Sequence, residues 1–154
     1  MKRVLLTGMS GTGKSSVIEA LRKRGLRAID LDEPGWSEHD DEGNQQWCEP
    51  RVQEALESAG DDTLFLSGCA ENQVKFYPQL TDIILLSAPA EVLEERLKTR
   101  TNNPYGRRPE ELAEVLYYLE TVEPLLRRGA TCEIETTIPL DQVVEEVLEH
   151  VCLS

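Results

Sequence analysis

The segment from Gly8 to Ser15, GMSGTGKS in one-letter code, constrains the fold of this chain more than any other feature of the sequence. It fits the pattern GxxxxGK[ST] at every fixed position, follows the short apolar run Val4–Leu6, and precedes a stretch with the apolar spacing of a helix. Glycines let the backbone turn so that successive N–H groups point inward, and the N-terminus of the following helix adds a positive dipole. The segment therefore predicts a strand, a phosphate-binding loop and a helix, in that order.

The side chains of this loop indicate which phosphate compound it binds. Lys14 is placed to reach the β- and γ-phosphates of a nucleoside triphosphate, and the Ser15 hydroxyl is a ligand for Mg²⁺. We therefore expect Mg-ATP as the cofactor, although the pattern itself does not separate ATP from GTP. The residues expected to contact the nucleotide in this part of the chain are Gly8, Ser10, Gly11, Thr12, Gly13, Lys14, Ser15 and Ser16.

The rest of the chain alternates short apolar runs with helical patterns. Each run is rich in Val, Ile or Leu and mostly continuous, which is typical of strands covered on both faces. Strands that alternate with helices indicate βαβ units and a parallel sheet, and right-handed crossovers then give a three-layer α/β/α sandwich. We expect a single α/β domain over residues 1–154, with a five-stranded parallel sheet. The five runs are Val4–Leu6, Ala28–Leu31, Thr63–Leu66, Ile83–Leu86 and Cys132–Ile134.

Two aspartates, Asp30 and Asp32, stand at the end of the second apolar run. Alternate residues of a strand point the same way, so both carboxylates can face the crevice beside the phosphate loop, at the carboxyl ends of the strands. One can hold the water shell of the magnesium ion, and the other can orient or deprotonate a hydroxyl that accepts a phosphoryl group. The alternative is that the two residues only begin a polar loop and cap the segment that follows.

Four features, in this order along the chain, resemble the small P-loop kinases, the group of shikimate kinase, gluconate kinase and the nucleoside-monophosphate kinases. They are the phosphate loop, the Asp-x-Asp pair, the end of the third strand at Ser67–Ala70 (SGCA), and the segment Glu95–Arg100 (ERLKTR). The resemblance covers residues 4–108 and implies the P-loop NTPase fold of the nucleotide kinases. It also implies an acceptor that lies between the aspartate pair, a helical substrate-binding insert and the end of the third strand, beneath a lid that carries arginines.

The resemblance also implies particular residue roles. Asp32 contacts the acceptor, and Asp30 supports the magnesium ion together with the serine of the phosphate loop. Gly68 exposes its backbone to the acceptor, and Cys69 lies beside it as a further acceptor contact. The loop with Pro139, after the last strand, resembles the adenine side of the nucleotide site in this group.

Arginines surround the segment expected to form the lid, about residues 100–109. Planar guanidinium groups suit the oxygens of a phosphoryl group in transfer, and a loop that closes over them excludes water. We therefore expect Arg100, together with Arg107 or Arg108, to clamp phosphate, with Arg100 and Arg107 as the catalytic pair. Arg96 lies one helical turn before the lid, and it either joins this group or pairs with a glutamate of its own helix.

The segment of about residues 33–60 corresponds to the substrate-binding insert, and its first part, Glu33–Gln46, has the composition of a loop. Residues 29–62 contain 12 acidic side chains and a single basic one, Arg51. This charge fits either a solvated surface or a region that favours an acceptor with an amino group. Trp36 and Arg51 are the expected acceptor contacts, and such an aromatic ring either stacks on the acceptor or anchors the insert. Further candidates are His39, Trp47, Asn72, Gln73 and Lys75.

The overall composition narrows the partners and the compartment. A formal net charge of −13 over 154 residues argues against a nucleic-acid ligand, which normally requires a basic surface. No apolar run approaches the roughly 20 residues that cross a bilayer, and the apolar start of the chain stops too early for a secretory signal. We expect a cytoplasmic protein, a monomer or homodimer without membrane contact, whose four scattered cysteines are free thiols.

These features together predict an ATP-dependent kinase that transfers the γ-phosphoryl group to a hydroxyl of a small molecule. The acceptor itself is not specified: a sugar, a sugar acid, an amino-acid derivative or an antibiotic would fit. A second hypothesis makes the acceptor a nucleoside or a nucleoside monophosphate. A third hypothesis is a switch or assembly module that binds or slowly hydrolyses ATP to regulate a partner, because one fold can serve many functions.

Overall fold

A five-stranded parallel sheet forms the centre of the computed structural model, which describes residues 2–99 and 107–151. In chain order the strands are β1 (Arg3–Thr7), β2 (Arg27–Asp30), β3 (Ser37–His39), β4 (Gln45–Trp47), β5 (Leu64–Ser67), β6 (Asp82–Ser87) and β7 (Cys132–Glu135). The central sheet has the order β2-β5-β1-β6-β7, and all of its neighbouring strands are parallel. The carboxyl ends of these strands therefore meet along one edge.

Helices cover both faces of this sheet. They are α1 (Lys14–Lys23), α2 (Glu49–Ser58), α3 (Ala90–Thr99), α4 (Pro109–Thr121), α5 (Glu123–Gly129) and α6 (Leu140–His150), with a 3-10 helix at Gln73–Gln79. Val4 and Leu6 of β1 pack in one apolar core with α1 and α6, whereas Leu5 packs in a second core with α2. Alternate residues of one strand thus enter different layers, and the predicted three-layer α/β/α sandwich is confirmed.

The five strands of the central sheet lie where the sequence predicts them, within one residue at each end. β1, β5 and β6 are buried along their whole length, which explains why they appear in the sequence as continuous apolar runs. The second strand ends at Asp30, so the Asp-x-Asp pair spans the carboxyl edge of the sheet.

The segment Glu33–Gln46 is not the irregular loop that the sequence suggests, because it contains most of a β-hairpin. β3 and β4 pair antiparallel, and their register places Ser37 opposite Trp47. The turn between them is held by Asp40, whose Oδ1 accepts hydrogen bonds from the backbone N–H groups of Glu42 and Asn44, both at 2.9 Å. The hairpin side chains are mostly polar on both faces, so no apolar alternation marks the strands in the sequence. The insert therefore combines a hairpin with the helix α2.

The described residues also bear on two expectations drawn from composition. No helix within residues 2–99 and 107–151 is long and apolar enough to cross a membrane. Cys48, Cys69 and Cys132 are free thiols, and the fourth cysteine, Cys152, lies outside the described residues.

Phe65 of β5 offers a test of the central core, because its side chain is 0% exposed and lies in the same cluster as residues of α1. Replacing it with alanine removes apolar contacts and leaves a cavity. We expect Phe65→Ala to lower the free energy of unfolding by about 3–5 kcal/mol, measured by urea unfolding. The matched control is Val74→Ala, whose side chain is 59% exposed and whose expected effect is about 0.5 kcal/mol or less. Equal losses in the two variants would contradict the burial of Phe65 in the core.

Candidate active site at the carboxyl ends of the strands

Gly8, the first residue after β1, lets the phosphate loop pass close to the neighbouring strand. A Cβ atom at this position would lie 2.4 Å from the carbonyl oxygen of Leu86 in β6, a distance that a side chain cannot adopt. Gly11 and Gly13 have φ angles of 90° and 97°, in the region that favours glycine. Helix α1 then begins at Lys14, directly after the loop. The strand, loop and helix predicted from the sequence are all present, and each of these three glycines has a steric or conformational reason.

Lys14 folds back across the loop. Its Nζ donates hydrogen bonds to the carbonyl oxygens of Gly8 at 2.7 Å and Met9 at 3.1 Å. The buried Thr12 hydroxyl also donates to the Met9 carbonyl oxygen, at 2.8 Å. These bonds fix the curvature of the loop, and a preorganised loop loses less conformational entropy when it binds a ligand. Since an ammonium group has three N–H donors, Lys14 retains one for a ligand over the loop.

A cavity of about 450 Å³ opens over this loop. Residues 10–17 form its floor, and Asp32 and Arg96 lie on its walls. Its far side is lined by Thr136, Ile138 and Leu140, from the segment that follows β7. Its volume is in the usual range for a small-molecule or cofactor site. Pro139 caps the N-terminus of α6 between two of these lining residues, although it is not itself part of the lining.

Ser15 and Asp30 lie in direct contact at the edge of the cavity. The Ser15 hydroxyl donates a hydrogen bond of 2.7 Å to Oδ2 of Asp30, whose side chain is buried. Oδ1 of the same carboxylate accepts a hydrogen bond from the backbone N–H of Asp32 at 3.0 Å. This oxygen pair fits Mg²⁺, which prefers hard oxygen ligands and takes only one or two from the protein when phosphates supply the others. Among the described residues, no group of three or more His, Cys, Asp or Glu side chains could hold a metal ion.

Asp32 lies in the cleft between the phosphate loop and the hairpin. Its Oδ1 accepts hydrogen bonds from the Gln45 side chain at 2.6 Å and from the backbone N–H of Cys69 at 3.3 Å. The pKa of Asp32 is raised above its ordinary value, mainly because surrounding protein removes water from the carboxylate; the negative charge of Asp30 adds to this, and Lys14 opposes it. Water still reaches the residue, which is exposed. The cleft therefore contains an accessible carboxylate that is a stronger base than an ordinary aspartate.

Gly68 borders the same cleft at the end of β5. A Cβ atom on it would lie 3.0 Å from Oδ1 of Asp32 and 3.1 Å from Nε1 of Trp47. The absence of a side chain thus keeps the backbone of Gly68 close to the carboxylate, and Cys69 follows with its N–H on Asp32. Trp47 is buried, and its Nε1 has no hydrogen-bond partner among the described residues. The structure therefore brings together Asp32, Gly68 and Cys69 with Trp47, one of the further candidates, and adds Gln45, which sequence reasoning missed.

Trp36 and Arg51 contact each other within the insert. The guanidinium group of Arg51 lies 4.2 Å from the centroid of the Trp36 ring, and its Nη1 donates a hydrogen bond of 2.6 Å to the Gly35 carbonyl oxygen. The described contacts of Arg51 are thus with its own insert rather than with Asp32. This arrangement accords with the anchoring alternative for Trp36, and substrate contact by these two residues stays a prediction.

Arg96 has a position that sequence reasoning did not foresee. Its Nη1 donates hydrogen bonds to the Gly11 carbonyl oxygen at 3.0 Å and to the Thr136 hydroxyl at 2.9 Å, and its Nη2 donates to the Thr136 carbonyl oxygen. It therefore joins the phosphate loop to the far wall of the cavity instead of pairing with a glutamate of α3. The available signal was helical spacing, because Arg96 follows the buried Leu93 by three residues and so lies on the same side of α3.

The expected lid falls mostly on residues 100–106, which lie outside the described residues, and Arg100 is among them. Helix α3 ends at Thr99, which lines the cavity, and the described chain resumes at Arg107. Arg107 and Arg108 are exposed there, ahead of α4. The two ends of the segment are thus known, and the contacts of its arginines stay predictions.

The fold and the phosphate loop define the class of this chain as a P-loop protein with an α/β/α sandwich. Residues 4–117 match the family described as AAA domain, and the chain belongs to this family. No curated protein sequence matches it significantly.

Solved structures share the fold over nearly the whole chain. A shikimate kinase from Acinetobacter baumannii in complex with shikimate has 20% sequence identity and a TM-score of 0.67, with 99% of this chain and 93% of that chain covered. A gluconokinase from Sinorhizobium meliloti 1021 has 24% identity and a TM-score of 0.67, with 98% and 91% covered. A shikimate kinase from Aquifex aeolicus vf5 has 20% identity and a TM-score of 0.64, with 97% and 95% covered. The fold is that of the small P-loop kinases, and the predicted resemblance is confirmed.

The raised pKa of Asp32 leads to a prediction on stability. Ionisation of Asp32 is less favourable in the folded protein than in the unfolded chain. The protonated carboxyl group therefore contributes to stability below the ordinary pKa of 3.8, and this contribution is lost as the pH rises through the folded pKa. Asp32→Asn retains an oxygen acceptor for Gln45 and removes this cost. We expect the variant to be more stable than the parent at about pH 8, with a difference that shrinks as the pH falls to about 4, measured by urea unfolding across this range.

The matched control for this experiment is Glu38→Gln, which neutralises an exposed carboxylate on the hairpin. Its effect on the free energy of unfolding should stay within about 0.5 kcal/mol. An advantage of Asp32→Asn that does not change with pH would show that the carboxyl group of Asp32 titrates normally.

Proposed function

We propose that this chain is an ATP-dependent kinase that transfers the γ-phosphoryl group of Mg-ATP to a hydroxyl of a small-molecule acceptor. The observation that carries the proposal is the pairing, in one cleft, of a complete phosphate loop with the accessible carboxylate of Asp32, whose pKa is raised. Nucleotide binding alone does not require a general base beside the phosphate loop, whereas phosphoryl transfer to a hydroxyl is helped by one. We also propose that the chain forms one domain, with the insert at about residues 33–60 and the lid at about residues 100–109.

The nucleotide side of the proposed site uses residues already in place. Bound Mg-ATP supplies the phosphoryl group and a cation that neutralises its charge. The loop N–H groups and Lys14 bind the phosphate oxygens, and Ser15 with Asp30 holds the magnesium ion. The cavity wall formed by Thr136, Ile138 and Leu140 binds the adenine ring of the nucleotide. Pro139 contributes by starting α6 beside this wall.

The acceptor side is centred on Asp32. Its carboxylate accepts the proton of the acceptor hydroxyl as the oxygen of that hydroxyl forms its bond to the γ-phosphorus, while the bond from that phosphorus to the β–γ bridging oxygen breaks and ADP leaves. Gly68 and Cys69 place their backbone against the acceptor, while Arg100 and Arg107 close over the phosphates and exclude water. Water exclusion is needed because the base that activates an acceptor hydroxyl can also activate water.

The comparisons support the class of reaction. The solved structures that share the fold include proteins described as shikimate kinases and a gluconokinase, both named for small-molecule acceptors. Their sequence identity to this chain is at most 24% among those cited, so the likeness supports the fold and leaves the acceptor to the residues of this chain. The acceptor is therefore argued separately below.

The direct test measures ADP release from Mg-ATP across a panel of hydroxylated acceptors. We expect at least one acceptor to stimulate release about tenfold or more. Lys14→Ala and Asp32→Asn should each reduce the stimulated rate by about 100-fold or more, because one removes charge stabilisation of the phosphoryl group and the other removes the base. The control is Lys23→Ala, an exposed lysine at the end of α1, which should leave the rate unchanged.

The same measurement separates the rival hypotheses. Stimulation by nucleoside monophosphates alone would assign the chain to the nucleotide kinases. A constant ATPase rate that no acceptor changes, and that Asp32→Asn leaves intact, would contradict the kinase proposal and favour a nucleotide-dependent switch.

Arg96 gives a prediction for nucleotide affinity. Arg96→Lys keeps the positive charge, but a single ammonium group cannot span the Gly11 carbonyl oxygen and both oxygens of Thr136. We expect the Kd for Mg-ATP to rise about tenfold, measured by isothermal titration calorimetry. The reason is that Arg96 no longer joins the phosphate loop to the far wall of the cavity, where the adenine ring would bind. Arg128→Lys, at an exposed position in α5, is the matched control. An unchanged Kd for Arg96→Lys would show that the bridge does not organise the nucleotide site.

A further inference from the structure

The β3–β4 hairpin turns one of its two faces towards the cleft. Directly opposite residues of an antiparallel pair lie on the same face, so Ser37 with Trp47 and His39 with Gln45 form one face of the hairpin. Gln45 reaches Asp32 from this face, and Trp47 places its Nε1 next to Gly68. We call this set the inner face.

The opposite face of the hairpin points away from Asp32. Glu38 and Gln46 form a directly opposite pair on this outer face. The Gln46 side chain donates a hydrogen bond of 3.0 Å to Oδ2 of Asp40, in the turn. Gln45 and Gln46 are therefore adjacent residues of the same type on different faces, and only Gln45 contacts the proposed base.

The inner face presents hydrogen-bond acceptors to a ligand. The two N–H donors of the Gln45 amide group are already used, because Nε2 lies 2.6 Å from Oδ1 of Asp32 and 3.3 Å from the Cys69 carbonyl oxygen, with the Ser37 hydroxyl oxygen at 3.5 Å. Within the described part of the chain, Oε1 of Gln45 and Oδ2 of Asp32 have no donor directed at them. A ligand that complements these oxygens carries donors, namely hydroxyl or amino groups.

The two cations in the part of the chain that carries the hairpin are already engaged. Arg51 and Lys75 are the only lysine or arginine residues between positions 28 and 81. Arg51 stacks on Trp36 and donates to a backbone carbonyl group of the insert, while Lys75 pairs with Glu49 at 3.0 Å. An anionic group on the acceptor would thus lie beside the carboxylates of the cleft without an arginine or lysine of this region to neutralise it, and a desolvated unpaired charge is costly.

We propose that the acceptor is a polyhydroxylated compound without a carboxylate or phosphate group, either neutral or carrying an amino group, and that the inner face of the hairpin selects it. This inference rests on the proposed function, since it concerns the acceptor of that reaction. The proposed acceptor class distinguishes this chain from kinases whose acceptor is an acid, such as shikimate or gluconate. A buried acid group is costly without a cation beside it, and the inner face contains no lysine or arginine.

The test compares binding of matched compounds that differ in charge. The compounds are glucose, glucosamine and gluconate, together with glycerol, serinol and glycerate, within a wider library of neutral, cationic and anionic polyols. Binding is measured as the shift in thermal midpoint with a non-hydrolysable Mg-ATP analogue at saturation, so that anions cannot occupy the phosphate loop. We expect the compounds that stabilise the protein to be neutral or cationic, with at least tenfold weaker binding of their anionic counterparts. Stabilisation mainly by anionic members, or by no member, would overturn the inference.

A pair of variants makes the role of the inner face specific. Gln45→Lys places a cation beside Asp32, so we expect the preference for non-anionic compounds to fall by about tenfold or more. Gln46→Lys adds the same charge one residue away on the outer face and should leave the preference unchanged. Equal effects of the two substitutions would show that net charge, and not the inner face, sets the selectivity.

The proposed function and this inference fail in different ways. Selective binding of neutral or cationic polyols without acceptor-dependent ADP release would contradict phosphoryl transfer but support the assigned acceptor class. Acceptor-dependent ADP release with an acid as the best substrate would support the kinase and overturn the acceptor class.

Discussion

Parallel pairing of β1 with both β5 and β6 is the constraint on which the candidate site depends. Because the three strands run side by side in one direction and are buried on both faces, their carboxyl ends lie together, and their polar residues stand only at the strand ends. Gly8 follows β1 and Gly68 follows β5, so the phosphate loop and the proposed acceptor cleft are neighbours. The close approach of Gly8 to the Leu86 carbonyl oxygen shows how little space this edge leaves. A side chain at Gly8 would disturb the loop and the sheet together.

The parts of the site that the sequence predicted are those whose chemistry is local. The phosphate loop is a contiguous pattern, and Asp30 and Asp32 are separated by one residue, so strand alternation alone places both at the sheet edge. Gln45 and Arg96 could not be predicted in the same way. Gln45 lies in a polar stretch without periodicity, and its importance comes from contacts with Asp32 and Cys69, which are distant in sequence. For Arg96 the sequence left two alternatives, a place among the lid arginines or an ion pair within its own helix, and its actual partners depend on how α3 packs.

Two aspartates that are close in sequence, Asp30 and Asp32, have different surroundings in the cleft and therefore suit different proposed roles. Asp30 is buried and accepts hydrogen bonds from Ser15 and from the backbone of Asp32, contacts that favour a fixed carboxylate beside a cation. Asp32 also accepts two hydrogen bonds, from Gln45 and Cys69, but they do not offset its desolvation, and the negative charge of Asp30 adds to the rise of its pKa. Lys14 lies close enough to lower the pKa of Asp32, so this lysine partly offsets the rise in pKa that desolvation causes. The proposed metal ligand and the proposed base thus differ through their surroundings and not through residue type.

The hairpin is attached through Asn72, at the start of the 3-10 helix that follows β5, and this attachment bears on how the proposed choice of acceptor could vary on a constant phosphate site. The Asn72 side chain accepts a hydrogen bond from the backbone N–H of Trp47 at 2.8 Å and donates to the Trp47 carbonyl oxygen at 3.0 Å. A buried asparagine with both amide atoms in use fixes position as well as orientation, because losing either bond would leave a buried polar group unsatisfied. Because the backbone of Trp47 is fixed in this way, Gln45, two residues earlier in the same strand, is held within hydrogen-bond distance of Asp32. None of these hairpin contacts involves the phosphate loop. Changes on the inner face can therefore alter which acceptor meets Asp32 while Lys14 and Ser15 keep their geometry.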